Sequence, residues 1–456
     1  MFETLSTLYN IRTIYYLIEE LYQNKSENNG HILVELKHRI LESGCIGIKF
    51  TQWYITKIKS YEDELSNTIS KYFEDIFDNC PQHSMSYTRE LFLKSFKIDI
   101  DDIITDIELV GSGSIGQVYK GKLIDNGKIV AIKVKHPNID TEIANIEPII
   151  YLISYIQSFN TLRNKYKLYF NFQEFLDDLK MQTNFKNEVF NAMRFKNIYS
   201  DNSHVIIPNV YYYSSDIAIF EYVDGKPYNE ISMYGKGKIA LNLLAFFEES
   251  LLIHNFIHCD LHEKNWTVLE EDNTYKLVIY DYGLCYSSDD IDLSKKIWRS
   301  FENNNVDELC YIIRNHLVIG EFTDDMEKDF QEAFQFAIDN HFSTNNILSK
   351  IVNILSKKEN ILFNKIVINL IIYFNMIEKI LNENNIVGNC STSSISSENV
   401  IYNVKMDLLS YCNAYNIYQG LAKLIDTNLV KLPDNYKLFL DTSTSDMNFI
   451  PIDDDI

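Results

Sequence analysis

The sequence lacks the cysteine pattern of a disulfide-stabilised or zinc-stabilised protein. Its seven cysteines are an odd number, lie scattered between Cys45 and Cys412, and include no C-x-x-C pair. Because a disulfide framework or a structural zinc site needs paired or clustered cysteines, both are disfavoured. Scattered cysteines fit a reducing compartment, so we expect a cytoplasmic protein.

A signal peptide and a long uninterrupted apolar run are also missing. The chain begins with acidic residues near its front and no small-residue cleavage site, unlike a secretory signal peptide. The most apolar stretch, residues 361–381, is interrupted at Asn364, Lys365, Asn369 and Asn375, whereas a membrane span needs about 20 mainly apolar residues. We therefore predict a buried helix here, and any membrane contact would be peripheral.

Positive charge is scarce. The chain has 42 Lys and Arg against 64 Asp and Glu, which gives a formal net charge of −22. Such a surface repels nucleic acid at long range, so we expect no nucleic-acid partner. ATP is also an anion, so a nucleotide site in this protein would have to supply its own local cations and a divalent metal.

Hydrophobic patterning predicts an α+β protein. Apolar residues recur at helical three-four spacing over most of the chain, and β-branched runs mark strands in its second quarter. Residues 205–226 are expected to form two short strands. The predicted organisation is a helical extension at 1–108, a β-sheet lobe with inserted helices at 109–224, a helical lobe at 225–440 and an acidic tail at 441–456.

A glycine-rich turn follows the helical extension. The pattern G-x-G-x-x-G is weak alone, and a dinucleotide fold would require a helix after it, whereas a second strand follows here. Glycines between two strands let backbone N–H groups approach phosphate oxygens. The residues that we expect to contact a nucleotide are Gly111, Ser112, Gly113, Ser114, Gly116 and Val118, with Val118 covering the adenine.

A lysine in the next strand is the expected phosphate ligand. Lys133 ends the motif VAIK, and a lysine in this position reaches nucleotide phosphates when a glutamate from a packed helix holds it. Glu188 is our candidate for that glutamate, and Glu142 and Glu147 are alternatives from spacing alone. The simpler interpretation is a β-hairpin with a surface lysine.

The stretch FIHCDLHEKNW contains the candidate catalytic residues. Its His258, Asp260 and Asn265 have the spacing H-x-D-x-x-x-x-N, and Asp281 follows in YDYG. In that arrangement Asp260 accepts a hydrogen bond from the attacking hydroxyl or water, and Asn265 and Asp281 bind magnesium. Oxygen ligands from one amide and one carboxylate suit Mg²⁺, which keeps waters and phosphates in its shell.

Two other interpretations of this stretch are weaker. A zinc site from His254, His258 and His262 would require one helix to run through the loop, and it leaves Asp260 and Asn265 without a role. Cys259 as a nucleophile is weaker still, because a small side chain between two functional positions explains it. Phosphoryl transfer accounts for more of these residues than either alternative.

These motifs resemble the UbiB/ADCK family of atypical kinases over roughly residues 40–290. The similar segments are GIKFTQW, VAIKVKHPNI, NFQEFLDDLKMQTNFKNEVFNAMRF, IPNVYYYSSDIAIFEYVDG and HCDLHEKNW. The resemblance implies a bilobal protein-kinase-like fold, ATP and Mg²⁺ as cofactors, and slow ATPase or unorthodox kinase activity. It also implies an acceptor that is a protein, a lipid-like molecule or water, with a link to isoprenoid lipids in many members.

The same resemblance assigns further residues. It makes Glu188 the partner of Lys133, places Lys49 and Gln52 of the extension near the nucleotide, and makes Glu221 to Val223 the hinge whose backbone meets the adenine. An enzyme is the leading hypothesis. A nucleotide-binding scaffold without turnover is the alternative.

Three departures from the family pattern concern the extension. Thr51 replaces a glycine, Gln182 and Asn184 replace two acids, and Gly111–Ser114 replace an alanine-rich loop. A neutral amide holds a lysine less strongly than a carboxylate does. We therefore expect a less firmly held extension and relaxed self-restraint, tested by autophosphorylation.

Overall fold

The computed structural model describes most of the first three quarters of the chain. The described ranges are 30–59, 80–157, 171–200, 204–232, 254–287 (without 255, 262, 272 and 273), 305–319 and 322–339, with isolated positions elsewhere. Side chains of 53–59, 317–319 and a few residues of 333–339 lie outside the description. Every structural statement below concerns the described residues.

Helices and strands alternate in these ranges, as expected for an α+β protein. The helices are α1 (Gly30–Glu42), α2 (Gly44–Lys59), α3 (Met85–Phe96), α4 (Ile139–Gln157), α5 (Phe172–Thr183), α6 (Phe185–Ile198), α7 (Val306–Ile312) and α8 (Asp324–Asp339). The strands are β1 (Ile104–Ser112), β2 (Gly116–Leu123), β3 (Ile129–Lys135), β4 (Val205–Ile206), β5 (Val210–Tyr213), β6 (Ile217–Glu221), β7 (Phe256–His258), β8 (Trp266–Glu271), β9 (Thr274–Ile279), β10 (Cys285–Ser287), β11 (Val318–Ile319) and β12 (Leu362–Phe363).

A five-stranded antiparallel sheet in the order β1-β2-β3-β6-β5 forms the centre of the β-sheet lobe. Its middle strand, IVAIKVK, alternates because successive side chains of a strand point to opposite faces. Val130, Ile132 and Val134 are fully buried and pack with Leu91 and Phe92 of α3. The alternation leaves Lys133 on the opposite face.

The extension packs on the inserted helices through apolar contacts. Buried residues of α1 and α2 share one core with α4 and α5. Phe50 of α2 is central, because its ring is stacked on Phe172 at 6.1 Å and meets Phe175 edge-on at 5.4 Å. This hydrophobic core holds α2 against the inserted helices.

Three expectations about local structure need correction. Residues 205–226 contain three strands rather than two, because Val205–Ile206 pairs with β9. The strand at β9 was expected, but its hairpin partner β8 was not. Leu362–Phe363 falls in the expected buried helix yet pairs with Val318–Ile319.

The remaining expectations about the second half lie outside the described residues. These include the rest of 361–381, the acidic tail and most of the helical lobe, so the four-part division stays a prediction. The strand β1 begins at Ile104, before the boundary proposed at residue 109. No described helix is both long and apolar enough to span a membrane.

Candidate active site

The glycine-rich turn joins β1 to β2. The Gly113 N–H donates to the Gly116 carbonyl at 3.0 Å and closes the turn. A Cβ on Gly116 would lie 2.5 Å from the Val134 carbonyl oxygen, so only glycine fits there, whereas a Cβ on Gly111 would meet open space. Val118 pairs with Lys133 across the strands. The turn therefore adjoins the strand that carries Lys133.

Three elements converge on the Lys133 amine. Its Nζ lies 2.8 Å from both carboxylate oxygens of Glu188 on α6 and 3.2 Å from Oδ2 of Asp281, just after β9. The Glu188 side chain is 2% exposed and the Asp281 side chain is 44% exposed. We call these three residues the lysine corner. Glu142 and Glu147, the alternatives from spacing, are not the partners of Lys133.

The charges of the lysine corner perturb one another. Burial raises the pKa of Glu188 to about 7, although Lys133 acts in the opposite direction. Burial also acts to raise the pKa of Asp281, but the ammonium groups of Lys133 and Lys49 outweigh it and lower that pKa. Asp281 is therefore ionised at neutral pH, which a cation ligand requires, whereas the charge on Glu188 depends on its pairing.

The loop after β7 is fixed by His258. The His258 Nδ1 accepts from the Asp260 backbone N–H at 3.3 Å, so its Nε2 carries the proton and donates to the Tyr280 carbonyl at 3.3 Å. Burial lowers the pKa of this imidazole, which keeps it neutral. Because both ring nitrogens are engaged, His258 is not free to bind zinc. His262 lies outside the described residues.

Asn265 closes the same loop. Its Nδ2 donates to the Asp260 carbonyl at 2.6 Å. An amide held through its nitrogen offers its oxygen to a ligand. Asn265 is thus tied to the Asp260 backbone within one loop, with its side-chain oxygen available.

The Asp281 turn is strained and tied to α6. Asp281 has φ of 49°, a left-handed conformation that costs a non-glycine residue energy and occurs at functional sites. Asn191 of α6 donates to the Tyr282 carbonyl at 2.9 Å. The Tyr282 ring lies 5.7 Å from Phe195 and 5.6 Å from His258. One helix therefore positions both Glu188 and the Asp281 turn.

Comparison with known proteins identifies the family. Residues 75–311, more than half of the chain, match the family model described as the ABC1 atypical kinase-like domain. The chain belongs to the ABC1 atypical kinase-like family. The UbiB/ADCK resemblance and the kinase-like α+β fold are thereby confirmed.

Relatives are distant and longer. "Probable serine/threonine-protein kinase abkC" of Dictyostelium discoideum is 30% identical over 249 residues, which cover 53% of this chain and 35% of the relative. "Probable protein kinase UbiB" of Shewanella woodyi is 24% identical over 259 residues, which cover 55% of this chain and 46% of the relative. The chain thus spans less than half the length of these curated relatives. A solved complex of Rv3197 with erythromycin from Mycobacterium tuberculosis has a TM-score of 0.44 at 17% identity, covering 66% of this chain and 83% of that one.

In this ABC1-family chain the segment expected to form the hinge, Glu221 to Val223, makes a contact that the sequence motifs do not predict. The Tyr280 hydroxyl donates to the Val223 carbonyl at 2.9 Å and lies 2.8 Å from the Thr267 hydroxyl. Glu221 turns its carboxylate to Asn209, at 2.5 Å from the amide nitrogen. A polar aromatic residue directly before Asp281 was the available signal for this link.

Departures from the ABC1-family pattern at the extension have local explanations. Thr51 is buried and its hydroxyl donates to the Gly47 carbonyl at 2.8 Å within α2. Asn184 caps α6 by accepting from the Lys186 N–H at 3.2 Å. Gln182 lies beside Gly283 of the Asp281 turn.

The two expected nucleotide contacts of the extension do approach the site. The Gln52 side-chain oxygen accepts from the Ser114 hydroxyl at 3.4 Å, so α2 touches the glycine-rich turn. Lys49 is near enough to Asp281 to lower its pKa. Whether the extension is held less firmly stays a prediction.

Proposed function

We propose that this protein binds ATP with Mg²⁺ and transfers the terminal phosphoryl group to an acceptor, as an atypical kinase or ATPase. The observation that carries the proposal is the Lys133 amine between Glu188 and Asp281. That geometry joins a strand, a helix and a loop that are far apart in the sequence. It is the arrangement in which a lysine holds phosphates while a neighbouring carboxylate holds the metal.

The donor set fits magnesium. Asp281 and Asn265 offer oxygen atoms, which Mg²⁺ prefers, and two protein ligands suffice because phosphates and waters complete its shell. Among the described residues no group of three His, Cys, Asp or Glu side chains could hold a metal unaided. When bound, the metal would neutralise charge on the phosphates.

The chain's own residues have separate tasks in this proposal. Lys133 binds the phosphates and Glu188 orients it. The glycine-rich turn covers the phosphates with backbone N–H groups. Asp260 accepts the proton of the attacking hydroxyl or water. The backbone of Glu221 to Val223 meets the adenine. The acceptor is a protein, a lipid-like molecule or water.

The test is ATP consumption with and without Mg²⁺ and liposomes by the wild type and by Asp260→Asn and Asp281→Asn. We expect Mg²⁺-dependent turnover that each substitution lowers by about a hundredfold or more, because each removes a group acting on the reacting atoms. Asp125→Asn, in the exposed β2–β3 turn, is the matched control. Stimulation by liposomes would indicate a peripheral membrane role.

One observation favours the scaffold alternative. The Lys49 ammonium group near Asp281 competes with a divalent cation for that carboxylate. A scaffold would bind nucleotide and consume ATP at equal, background rates in all three proteins. Equal rates would therefore reject the enzyme in favour of this alternative.

A further inference from the structure

A buried network of uncharged side chains lies behind the glycine-rich turn. Its centre is a pair of imidazoles, His83 before α3 and His136 after β3, whose Nδ1 atoms are 2.8 Å apart. His136 is 4% exposed. We call His83, Thr88, Gln117, Tyr119 and His136 the histidine network. All of these residues except His83 are buried.

With both imidazoles neutral, the hydrogen bonds of this network admit one proton arrangement. The His136 Nε2 lies 2.9 Å from the Gly113 carbonyl, which only accepts, so Nε2 carries the proton. A neutral His136 then accepts at Nδ1, so His83 must donate from its own Nδ1. The His83 Nε2 is left as an acceptor. Both imidazoles are neutral, with opposite tautomers.

The rest of the network agrees with that assignment. The His83 Nε2 accepts from the Thr88 hydroxyl at 3.1 Å, and Thr88 accepts from the Tyr119 hydroxyl at 2.9 Å. Tyr119 accepts from the Gln117 amide at 2.6 Å, and the Gln117 oxygen accepts from the His83 backbone N–H. Each hydroxyl both donates and accepts, so the series of hydrogen bonds runs in one direction and ends at the Gly113 carbonyl.

That endpoint lies inside the phosphate-covering turn. The His136 backbone N–H also donates to the Ile115 carbonyl at 2.9 Å, and the Cys80 N–H donates to the Ser112 carbonyl at 3.0 Å. Three carbonyls of the turn are thus held by groups on the protein side. A carbonyl oxygen turned toward phosphate would repel it, so holding these oxygens back favours an anion on the other side.

We propose that His136 is a positioning residue for the glycine-rich turn, and that it holds the Gly113 carbonyl away from the phosphates within a network in which both imidazoles are neutral. This inference rests on the proposed nucleotide binding. A proton added to His136 would place its Nδ1–H against that of His83, unless the His83 proton moved to Nε2. A proton added to His83 would do so against Thr88, whose hydroxyl would have to reverse.

The surroundings keep the pair neutral. Burial, and then His136, lower the pKa of His83 to about 4, and burial lowers the pKa of His136. The titratable groups around them are Tyr87, with its ring 4.9 Å from that of His83, Tyr119, Cys80, and Lys135 with its partners Asp140 and Asp216. The Lys135 ammonium group contacts both carboxylates and offsets part of their negative charge.

The first experiment compares Mg-ATP and adenosine binding by calorimetry at pH 7.5. His136→Phe removes the donor, and we expect ATP to bind about tenfold more weakly while adenosine changes by less than about twofold. His136→Gln keeps an N–H donor and should stay within about threefold of wild type. His31→Gln, at an exposed site, is the control. Unchanged ATP affinity in His136→Phe, or a parallel loss of adenosine, would overturn the proposal.

A second measurement needs no variant. Side-chain ¹⁵N spectra of histidine-labelled protein at neutral pH should show His83 protonated at Nδ1 and His136 at Nε2. Any other tautomer pair, or a charged ring, would overturn the proposal even if His136→Phe fails to fold. If wild type binds no Mg-ATP, the proposed nucleotide binding fails. The ¹⁵N spectra still report the two tautomers in that case.

Discussion

The lysine corner and the histidine network are built from the same strand end, since only Val134 and Lys135 separate Lys133 from His136. The lysine corner combines an amine with two carboxylates and opens to solvent through Asp281. The histidine network contains no charge and all of its buried side chains have partners within it. One cluster is charged and half-open to solvent, and the other is neutral and is bonded to the backbone of the glycine-rich turn.

This difference predicts opposite responses to substitution. Removing one partner of a buried ion pair leaves an uncompensated charge, which is costly until the group takes up or loses a proton. Removing a neutral hydrogen-bonding group leaves only unsatisfied dipoles, at a smaller cost that does not change between pH 7 and pH 8. Stability measurements at two pH values therefore distinguish the clusters.

The largest effect is expected for Lys133→Met. It leaves Glu188 buried without its cation and should lower the free energy of unfolding by about 3 kcal/mol at pH 8. The loss should shrink at pH 5, because burial already raises the pKa of Glu188 and the carboxyl can become neutral. Denaturant unfolding at both pH values measures this, with Lys122→Met on the exposed part of β2 as control. An equal loss at both values would contradict the charged-cluster description.

Thr88→Val tests the neutral cluster. It removes the hydroxyl that joins His83 to Tyr119, so the half-buried His83 Nε2 and the buried Tyr119 hydroxyl each lose a partner, and the expected loss is about 2 kcal/mol. Thr88→Ser keeps the hydroxyl and should recover most of the lost stability. The loss should be the same at pH 7 and pH 8 and insensitive to salt. A salt-dependent loss would mean that charge enters the network.

The sequence predicted the lysine corner better than the histidine network, for a physical reason. Lys133, Asp260, Asn265 and Asp281 lie in short motifs, because each needs a defined local turn or strand. Glu188 needed the family resemblance, since spacing alone left Glu142 and Glu147 open. His83 and His136 meet across 53 residues of chain, and no local pattern marks such a contact.

The fold shows the same limit. The strand β3 was evident from its β-branched run, because period-two burial is a local property. The strand β8 was missed although Trp266 to Leu269 are apolar or β-branched and a turn-forming Asp272–Asn273 pair follows.

Tyr280→Phe tests the link between the proposed hinge, Glu221 to Val223, and the Asp281 turn. It removes the hydroxyl that binds the Val223 carbonyl and contacts Thr267, so the hinge backbone loses a fixed orientation. Affinity for Mg-ATP should fall about fivefold, as for the loss of one hydrogen bond. Inorganic tripolyphosphate, which has no base, should bind unchanged. Tyr275→Phe, on the same hairpin, is the control. Equal losses for both ligands would place the effect at Asp281 instead.

The smallest expected effect is a change in acid sensitivity. The folded-state pKa of His83 is lowered from 6.5 to about 4, chiefly by burial. A group whose pKa is lower in the folded state contributes stability at pH values above its unfolded-state pKa. This contribution is lost as the pH falls toward the folded-state pKa. Wild type should therefore lose this stability between pH 6.5 and about 4.

His83→Gln cannot be protonated in that range and should lack this loss. Wild type should be more stable than His83→Gln by about 1 kcal/mol at pH 7.5, and this advantage should shrink and then reverse in sign on acidification. Thermal unfolding across the range measures it, and His31→Gln shows the behaviour of a surface histidine. A wild-type advantage that increases as the pH falls would mean that His83 is charged in the folded protein, and the histidine network would then belong with the lysine corner.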